Sequence, residues 1–302
     1  EEKYDSLKEA IAACESVGEA TTITMLSDYE QWESLTISNE KNIILDLNGY
    51  KITAHSEFAN EGEFEITDTS EEQTGIIEEK TGRAILNKGN ATFTLNGGKI
   101  LLNSTTLGKC AIYNMDQANI NIKRGTIEIN DAKFWGDQYI IYNVSTGKIE
   151  IIGGTLKGGC RGALYGIYNY IDDLGGDRNI NISGSTIDIS SSNASVTGIY
   201  NYTTHASNIT DTSRDTINIQ INNSNIDIKV SNSSTSYGIY NYSNYTRDTI
   251  KVNLKNSTLK VTNSYYYGGN VYGIYNVNSN SGSVIYNNIE SGYVEAIGRE
   301  DN

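Results

Sequence analysis

Along most of the chain apolar and polar residues alternate in short runs that Gly, Asn, Asp or Ser interrupts. A period of two marks strands with one buried face. Early runs are Thr22–Leu26, Leu35–Ile37, Ile43–Leu47, Lys51–Thr53 and Phe64–Thr67, broken by Asn48-Gly49 and Gly62. From Ala84 onward a longer period is superimposed. Gly-Ile-Tyr-Asn stands at Gly166–Asn169, Gly198–Asn201, Gly238–Asn241 and Gly273–Asn276, with looser copies at Ala84–Asn87, Ala111–Asn114 and Ile140–Asn143. Their isoleucines, Ile85, Ile112, Ile141, Ile167, Ile199, Ile239 and Ile274, are 27, 29, 26, 32, 40 and 35 residues apart. A polar loop follows each copy, then a strand pair such as Ile180–Ile182 with Thr186–Ile189, joined at a Gly or Asn corner such as Gly184-Ser185 or Asn222–Ser224. A motif recurring at this spacing predicts a solenoid, in which each repeat buries its apolar side against its neighbours.

One segment departs from the strand pattern. Ser6 and Glu9 fit a capping box, and Leu7, Ala10, Ile11, Cys14 and Val17 form a single apolar stripe that Gly18 ends. An amphipathic helix in that place covers the open first rung of a solenoid.

Three short strands per turn with no helix between them resemble the right-handed parallel β-helix of the pectin-lyase-like superfamily, from Ser6 to about Ile297. The cap helix followed by Ile44-Leu45-Asp46-Leu47-Asn48-Gly49-Tyr50 resembles many bacterial repeats of that superfamily. The Gly-Ile-Tyr-Asn copies are similar to those of large surface proteins of Gram-positive bacteria. The expected fold is all-β: a single-stranded right-handed parallel β-helix with an N-terminal capping helix. Residues 1–20 would form the cap and 21–302 the β-helix, excised from a longer surface protein. The resemblance implies an extracellular location, secreted or cell-wall associated.

Composition suits a narrow core: 37% hydrophobic residues and a mean hydropathy of −0.43. Proline is absent and glycine numbers 29, so left-handed corner positions fall to Gly, Asn and Asp. The net charge of −14, without any Lys/Arg-rich run, argues against nucleic acid and against an anionic membrane surface. No apolar run approaches the ~20 residues that span a bilayer, so membrane insertion is not expected. Cys14, Cys110 and Cys160 show no CxxC or metal spacing and read as buried small hydrophobes.

Equivalent residues of successive turns stack about 4.8 Å apart in such a fold. The repeated Asn (Asn87, Asn114, Asn143, Asn169, Asn201, Asn241 and Asn276) falls on the same side as the inward Ile, which predicts a buried amide ladder. The Tyr between them points outward: Tyr113, Tyr142, Tyr168, Tyr200, Tyr240 and Tyr275, with Tyr170, Tyr202 and Tyr242 two residues on. Tyrosine numbers 22 against four Phe and two Trp. Two readings stay open for this strip: a surface that stacks on sugar rings or docks a protein, and a self-stacked array that stiffens an exposed sheet. Tyr265-Tyr266-Tyr267-Gly268-Gly269 has the composition of an adaptable binding loop. The candidate binding residues are Tyr168, Tyr170, Tyr200, Tyr202, Tyr240, Tyr242, Tyr265, Tyr266, Tyr267 and Tyr275.

Enzymes of the resembled superfamily imply an Arg base with Ca²⁺-binding carboxylates, or clustered Asp residues often beside Gly-His-Gly. Neither His55 nor His205 is flanked by glycine. The best carboxylate cluster is Asp172-Asp173-Leu174-Gly175-Gly176-Asp177, which reads as a solvated loop, as a Ca²⁺ site of Asp172, Asp173 and Asp177, or as a catalytic loop with Arg178. Asp177-Arg178, Arg214-Asp215 and Arg247-Asp248 suggest a charge ladder that repeats from turn to turn. No catalytic residue and no cofactor beyond that Ca²⁺ is assigned. The functional expectation is a non-catalytic adhesion module that contacts a host glycan or a host extracellular protein, immunoglobulins included. A polysaccharide lyase or glycoside hydrolase and a structural stalk are the alternatives.

Overall fold

The computed structural model describes residues 2–15, 18–103, 109–131, 136–171, 176–204, 215–233, 235–244, 248–265, 269–279 and 282–298. It is a parallel β-helix with three faces per turn. Strands of the third face form a nine-stranded sheet from Leu35–Ile37 to Asn270–Asn278. The first two faces merge into a 16-stranded sheet, because strands such as Thr92–Leu102, Asn119–Asp131 and Thr249–Asn263 run round the corner between them without a break. All strand pairings are parallel, and like residues align: Ile120 with Ile149, Ile187 with Ile226, Ile199 with Ile239.

That first corner needs a left-handed residue in successive turns. Gly98 (φ 68°), Gly125 (φ 87°), Gly184 (φ 58°), Asn223 (φ 49°) and Asn256 (φ 49°) supply it, all of them residue types that tolerate this region. Gly125 is doubly required, since a Cβ there would lie 2.7 Å from the Gly98 carbonyl oxygen.

The interior is a stack of branched aliphatic columns. Phe58, Ile85, Ile112, Ile141, Ile167, Ile199 and Ile239 are all fully buried on the third face, while Ile120, Ile149, Ile180 and Ile219 line the first. Burying a side chain of this size contributes about 1.5–3 kcal/mol. Repetition along the axis therefore replaces the wide core of a globular domain. Phe58, Phe64 and Phe93 fill the early turns, with ring centroids 5.8 and 6.0 Å apart.

The predicted helix is present as Leu7–Ala13. Ser6 Oγ accepts from the Glu9 backbone N–H at 3.2 Å, and Leu7, Ala10 and Ile11 are buried. It is shorter than its apolar stripe, because Cys14 already leaves helical geometry and its carbonyl accepts from Lys41 Nζ at 2.7 Å. Strands Tyr29–Gln31, Phe58–Asn60 and Ile76–Glu79 were not among the alternating runs. Each is three or four residues long, and the last two carry consecutive buried residues rather than a period of two.

Candidate functional site

Asparagine, the last residue of each repeat, builds the ladder. Asn60 Nδ2 donates to Asn87 Oδ1 at 2.8 Å, and the relay continues to Asn114, Asn143 and Asn169 at 2.7, 2.8 and 2.7 Å. It passes to Asn201 at 3.5 Å, then to Asn241 and Asn276 at 2.7 and 2.8 Å. Asn60 and Asn87 also give an N–H to the backbone oxygen that opens the first-face strand of the next turn, Thr92 for Asn60 and Asn119 for Asn87. Asn60 stood outside the repeat seen in sequence, because Phe-Ala-Asn replaces Ile-Tyr-Asn there.

The residue before the Ile decides which way the tyrosines face. Gly166 and Ile167 are both buried, as are Gly198 with Ile199 and Gly238 with Ile239, so strict alternation is interrupted once per strand. The residues on either side of that pair, Tyr165 and Tyr168 for example, therefore both point outward. A Cβ on Gly166, Gly198 or Gly238 would come within 2.5–2.6 Å of the carbonyl oxygen of the next glycine in the column. Glycine here allows close backbone approach between turns, at a residue whose φ is ordinary.

The result is three outward columns. Tyr113, Tyr142, Tyr168, Tyr200, Tyr240 and Tyr275 form the central one, flanked by Tyr139, Tyr165, Tyr237 and Tyr272 on one side and Tyr170, Tyr202 and Tyr242 on the other. All thirteen are half-buried. In the middle of the central column the rings stack face to face, Tyr168–Tyr200 at 4.9 Å and 4° and Tyr200–Tyr240 at 4.7 Å and 3°, while the end pairs Tyr113–Tyr142 and Tyr240–Tyr275 are turned by 65° and 36°. Tyr170–Tyr202 and Tyr202–Tyr242 repeat this at 5.5 and 4.9 Å. Between columns several contacts are edge to face, as in Tyr139–Tyr142 at 88° and Tyr237–Tyr240 at 80°, while Tyr200–Tyr202 is stacked at 20°. Both arrangements suit the ring quadrupole. The flanking column was missed in sequence because its signal, Tyr three residues before Tyr, crosses the glycine that breaks the alternation.

This packing determines what the face offers. Neighbouring rings pack against one another, and each of these residues stays half-buried. Burial pushes the Tyr165 and Tyr237 hydroxyls up to about 12, and those of Tyr139, Tyr168 and Tyr200 higher still. These five hydroxyls therefore stay protonated far above neutral pH. At its N-terminal end the Arg83 guanidinium lies 5.4 Å over the Tyr113 ring and pairs with Glu57.

Among the other candidates, Tyr265 is half-buried with its N–H bonded to Asn263 Oδ1 at 3.0 Å, whereas Tyr266 and Tyr267 lie outside the described residues. Asp172 and Asp173 also lie outside them. Asp177 Oδ1 accepts from the Thr216 N–H at 2.8 Å and so ties one turn to the next. Arg178 is a core residue: it aligns with Ile217, is 1% exposed, and donates to the Gly176 and Val144 carbonyls. Asp215 and Asp248 do stack in register but are buried, and Asp215 accepts from the Gly176 N–H at 2.8 Å; Arg214 and Arg247 lie outside the described residues. Among the described residues no group of three or more His, Cys, Asp or Glu converges as metal ligands would. A surface hollow of about 510 Å³ on the first face is lined by amides (Asn119, Asn179, Asn181, Asn218, Gln220) and Lys148, with no carboxylate in its wall. All three cysteines are buried free thiols.

Set against protein-family models, curated proteins and solved structures, the chain matches none of them.

Proposed function

We propose that this chain is a non-catalytic binding module of a bacterial extracellular protein, secreted or cell-wall associated, whose tyrosine face docks on a host extracellular protein. The supporting observation is the array itself: thirteen half-buried tyrosines on one face, their rings packed against one another from turn to turn. Tyrosine gives large contact area at small entropic cost, and here the rotamers are already held by stacking. A protein partner fits this face better than a glycan, because a sugar ring needs an open aromatic face and these are occupied by neighbouring rings. The location and the host partner rest on the resemblance of the repeats to bacterial surface proteins.

A stalk is the second reading, favoured by the continuous Asn and Tyr ladders, which stiffen the rod whether or not anything binds. The lyase or hydrolase reading loses Arg178 as a base, since its guanidinium is buried against backbone carbonyls.

The test compares wild type with Tyr200→Ala/Tyr202→Ala/Tyr240→Ala/Tyr242→Ala on a panel of host extracellular proteins, immunoglobulins included, and on a glycan array. Protein binding that the variant loses while its circular dichroism stays native supports the docking face. Binding that survives the four substitutions, or is confined to glycans, refutes it. Silence of the wild type on both panels favours the stalk.

A further inference from the structure

The central tyrosine column runs ring to ring from Tyr113 to Tyr275, with successive centroids 5.3, 5.0, 4.9, 4.7 and 5.4 Å apart. Phenols are among the side chains that give up a single electron most readily. An array of touching phenols therefore concentrates one chemistry, the coupling of two neighbouring rings into dityrosine. Holding the two reactants in contact replaces a bimolecular encounter with an intramolecular step.

Geometry singles out one pair. Dityrosine is a biaryl, joined edge to edge through ring carbons beside the hydroxyls, with its two rings inclined. Rings stacked face to face, such as Tyr200 and Tyr240 at 3°, keep their edges in parallel planes and must unstack before that bond can form. Perpendicular pairs, such as Tyr165 and Tyr168 at 87°, direct the edge of one ring at the face of the other. Tyr272 and Tyr275 do neither. Their centroids are 4.4 Å apart, the shortest separation among the described tyrosine pairs, and their planes are inclined by 45°.

Both belong to the strand Asn270–Asn278 and flank Gly273 and Ile274. Gly273 is buried, and a Cβ on it would lie 2.1 Å from Val294 Cγ1, so the strand sits tight against the interior between the two tyrosines. Tyr272 and Tyr275 themselves are half-buried, which leaves each within reach of a small oxidant. A thiol would quench a phenoxyl radical beside it. Cys110, which shares the flanking column, stands five turns before Tyr272.

We propose that Tyr272 and Tyr275 form an oxidative cross-linking site, where a haem peroxidase with hydrogen peroxide couples them into dityrosine within one chain. Each ring yields one electron and its phenolic proton, leaving two phenoxyl radicals. A C–C bond forms between carbons ortho to the two oxygens. The hydrogens on those carbons pass through water to the oxygens and restore both phenols. Peroxide takes up the two electrons and two protons, its O–O bond breaks, and two waters leave. The site requires no docked partner, so it is independent of the binding role of the face.

The test treats the dilute full chain with horseradish peroxidase and one equivalent of hydrogen peroxide at neutral pH, then isolates monomer by size exclusion. The expected result is dityrosine fluorescence in the monomer. Its tryptic peptide 261–299 should weigh less by two hydrogens, and fragmentation should place the link between Tyr272 and Tyr275. Tyr272→Phe and Tyr275→Phe keep the ring packing and each abolish the link. Tyr286 and Tyr293 are 58% and 54% exposed and touch no other described ring, so they report reaction driven by exposure alone. Tyr286→Phe/Tyr293→Phe is expected to leave the link intact. Dityrosine absent from the monomer, a link at another pair in place of this one, or an undiminished signal in Tyr275→Phe each overturns the proposal.

Discussion

Asn201 gives its side-chain amide to Asn241 Oδ1 at 2.7 Å across 40 residues of chain, the same distance that joins Asn143 to Asn169 across 26. The turn lengths differ by half, yet the rung spacing does not. Extra residues are pushed into surface loops, and the register is set by what stacks inside.

That relay makes its members costly to remove. Asn143→Ala takes the donor from Asn169 Oδ1 and one of the two acceptors of Asn114 Nδ2, which keeps the Ala118 carbonyl, in a buried column. An orphaned buried polar group costs about 1–3 kcal/mol, so a loss of at least about 1–3 kcal/mol is expected from Asn169 Oδ1 alone. Urea unfolding followed by circular dichroism checks this; an unchanged midpoint would remove the ladder from the account of stability.

Close backbone approach predicts a contrast between two glycines. Gly198→Ala places a Cβ 2.6 Å from the Gly238 carbonyl oxygen and forces the turns apart, at an expected cost of about 1–3 kcal/mol. Gly159→Ala, in a strand where the nearest atom is Ser190 Oγ at 3.7 Å, is expected to be neutral or slightly stabilising. Thermal melts of the pair decide the matter, and equal shifts would contradict it.

Alkali attacks the tyrosine face. An unfolded tyrosine ionises near pH 10, and burial raises Tyr165 and Tyr237 to about 12. Folding therefore favours the protonated hydroxyl. That contribution is complete below pH 10 and is lost as pH climbs toward 12. Tyrosinate absorbance should rise together with loss of the β-sheet signal in this window. Full ionisation of all 22 tyrosines near pH 10 with the fold intact would be inconsistent with the array.

Arg178 is expected to behave as a core residue. Arg178→Ala removes a side chain that is 1% exposed and strips donors from the Gly176 and Val144 carbonyls, so a loss of about 2–4 kcal/mol follows. A variant as stable as wild type would return this residue to the search for chemistry.

The thiols should be silent until the fold opens. Cys110 is 7% exposed, and burial pushes its thiol up to about 12; burial also raises Cys14. Labelling with an aromatic disulfide reagent at neutral pH is expected to track unfolding for these two cysteines. Rapid labelling of Cys110 in native buffer would show that the turn around it opens on its own.

Periodicity alone determined the solenoid, the capping helix, the inward Ile and Asn columns and the outward Tyr, because each follows from spacing along one strand and from residue type. Even the lengthening of the repeat to 40 residues between Ile199 and Ile239 left that pattern legible. Tertiary structure decided the rest. Only the stacking of turns could show that Gly166, Gly198 and Gly238 interrupt the alternation and bring Tyr165 and Tyr237 onto the same face as Tyr168 and Tyr240. Arg178 carries the same formal charge in a loop or in a core, and its alignment with Ile217 is a fact about the neighbouring turn. Trp32 meets His55 for the same reason: residues 23 apart in the chain become stacked rings only when two strands fall into register. Properties of one strand are written in its own residues, whereas a site made between turns depends on register, which the intervening loops conceal.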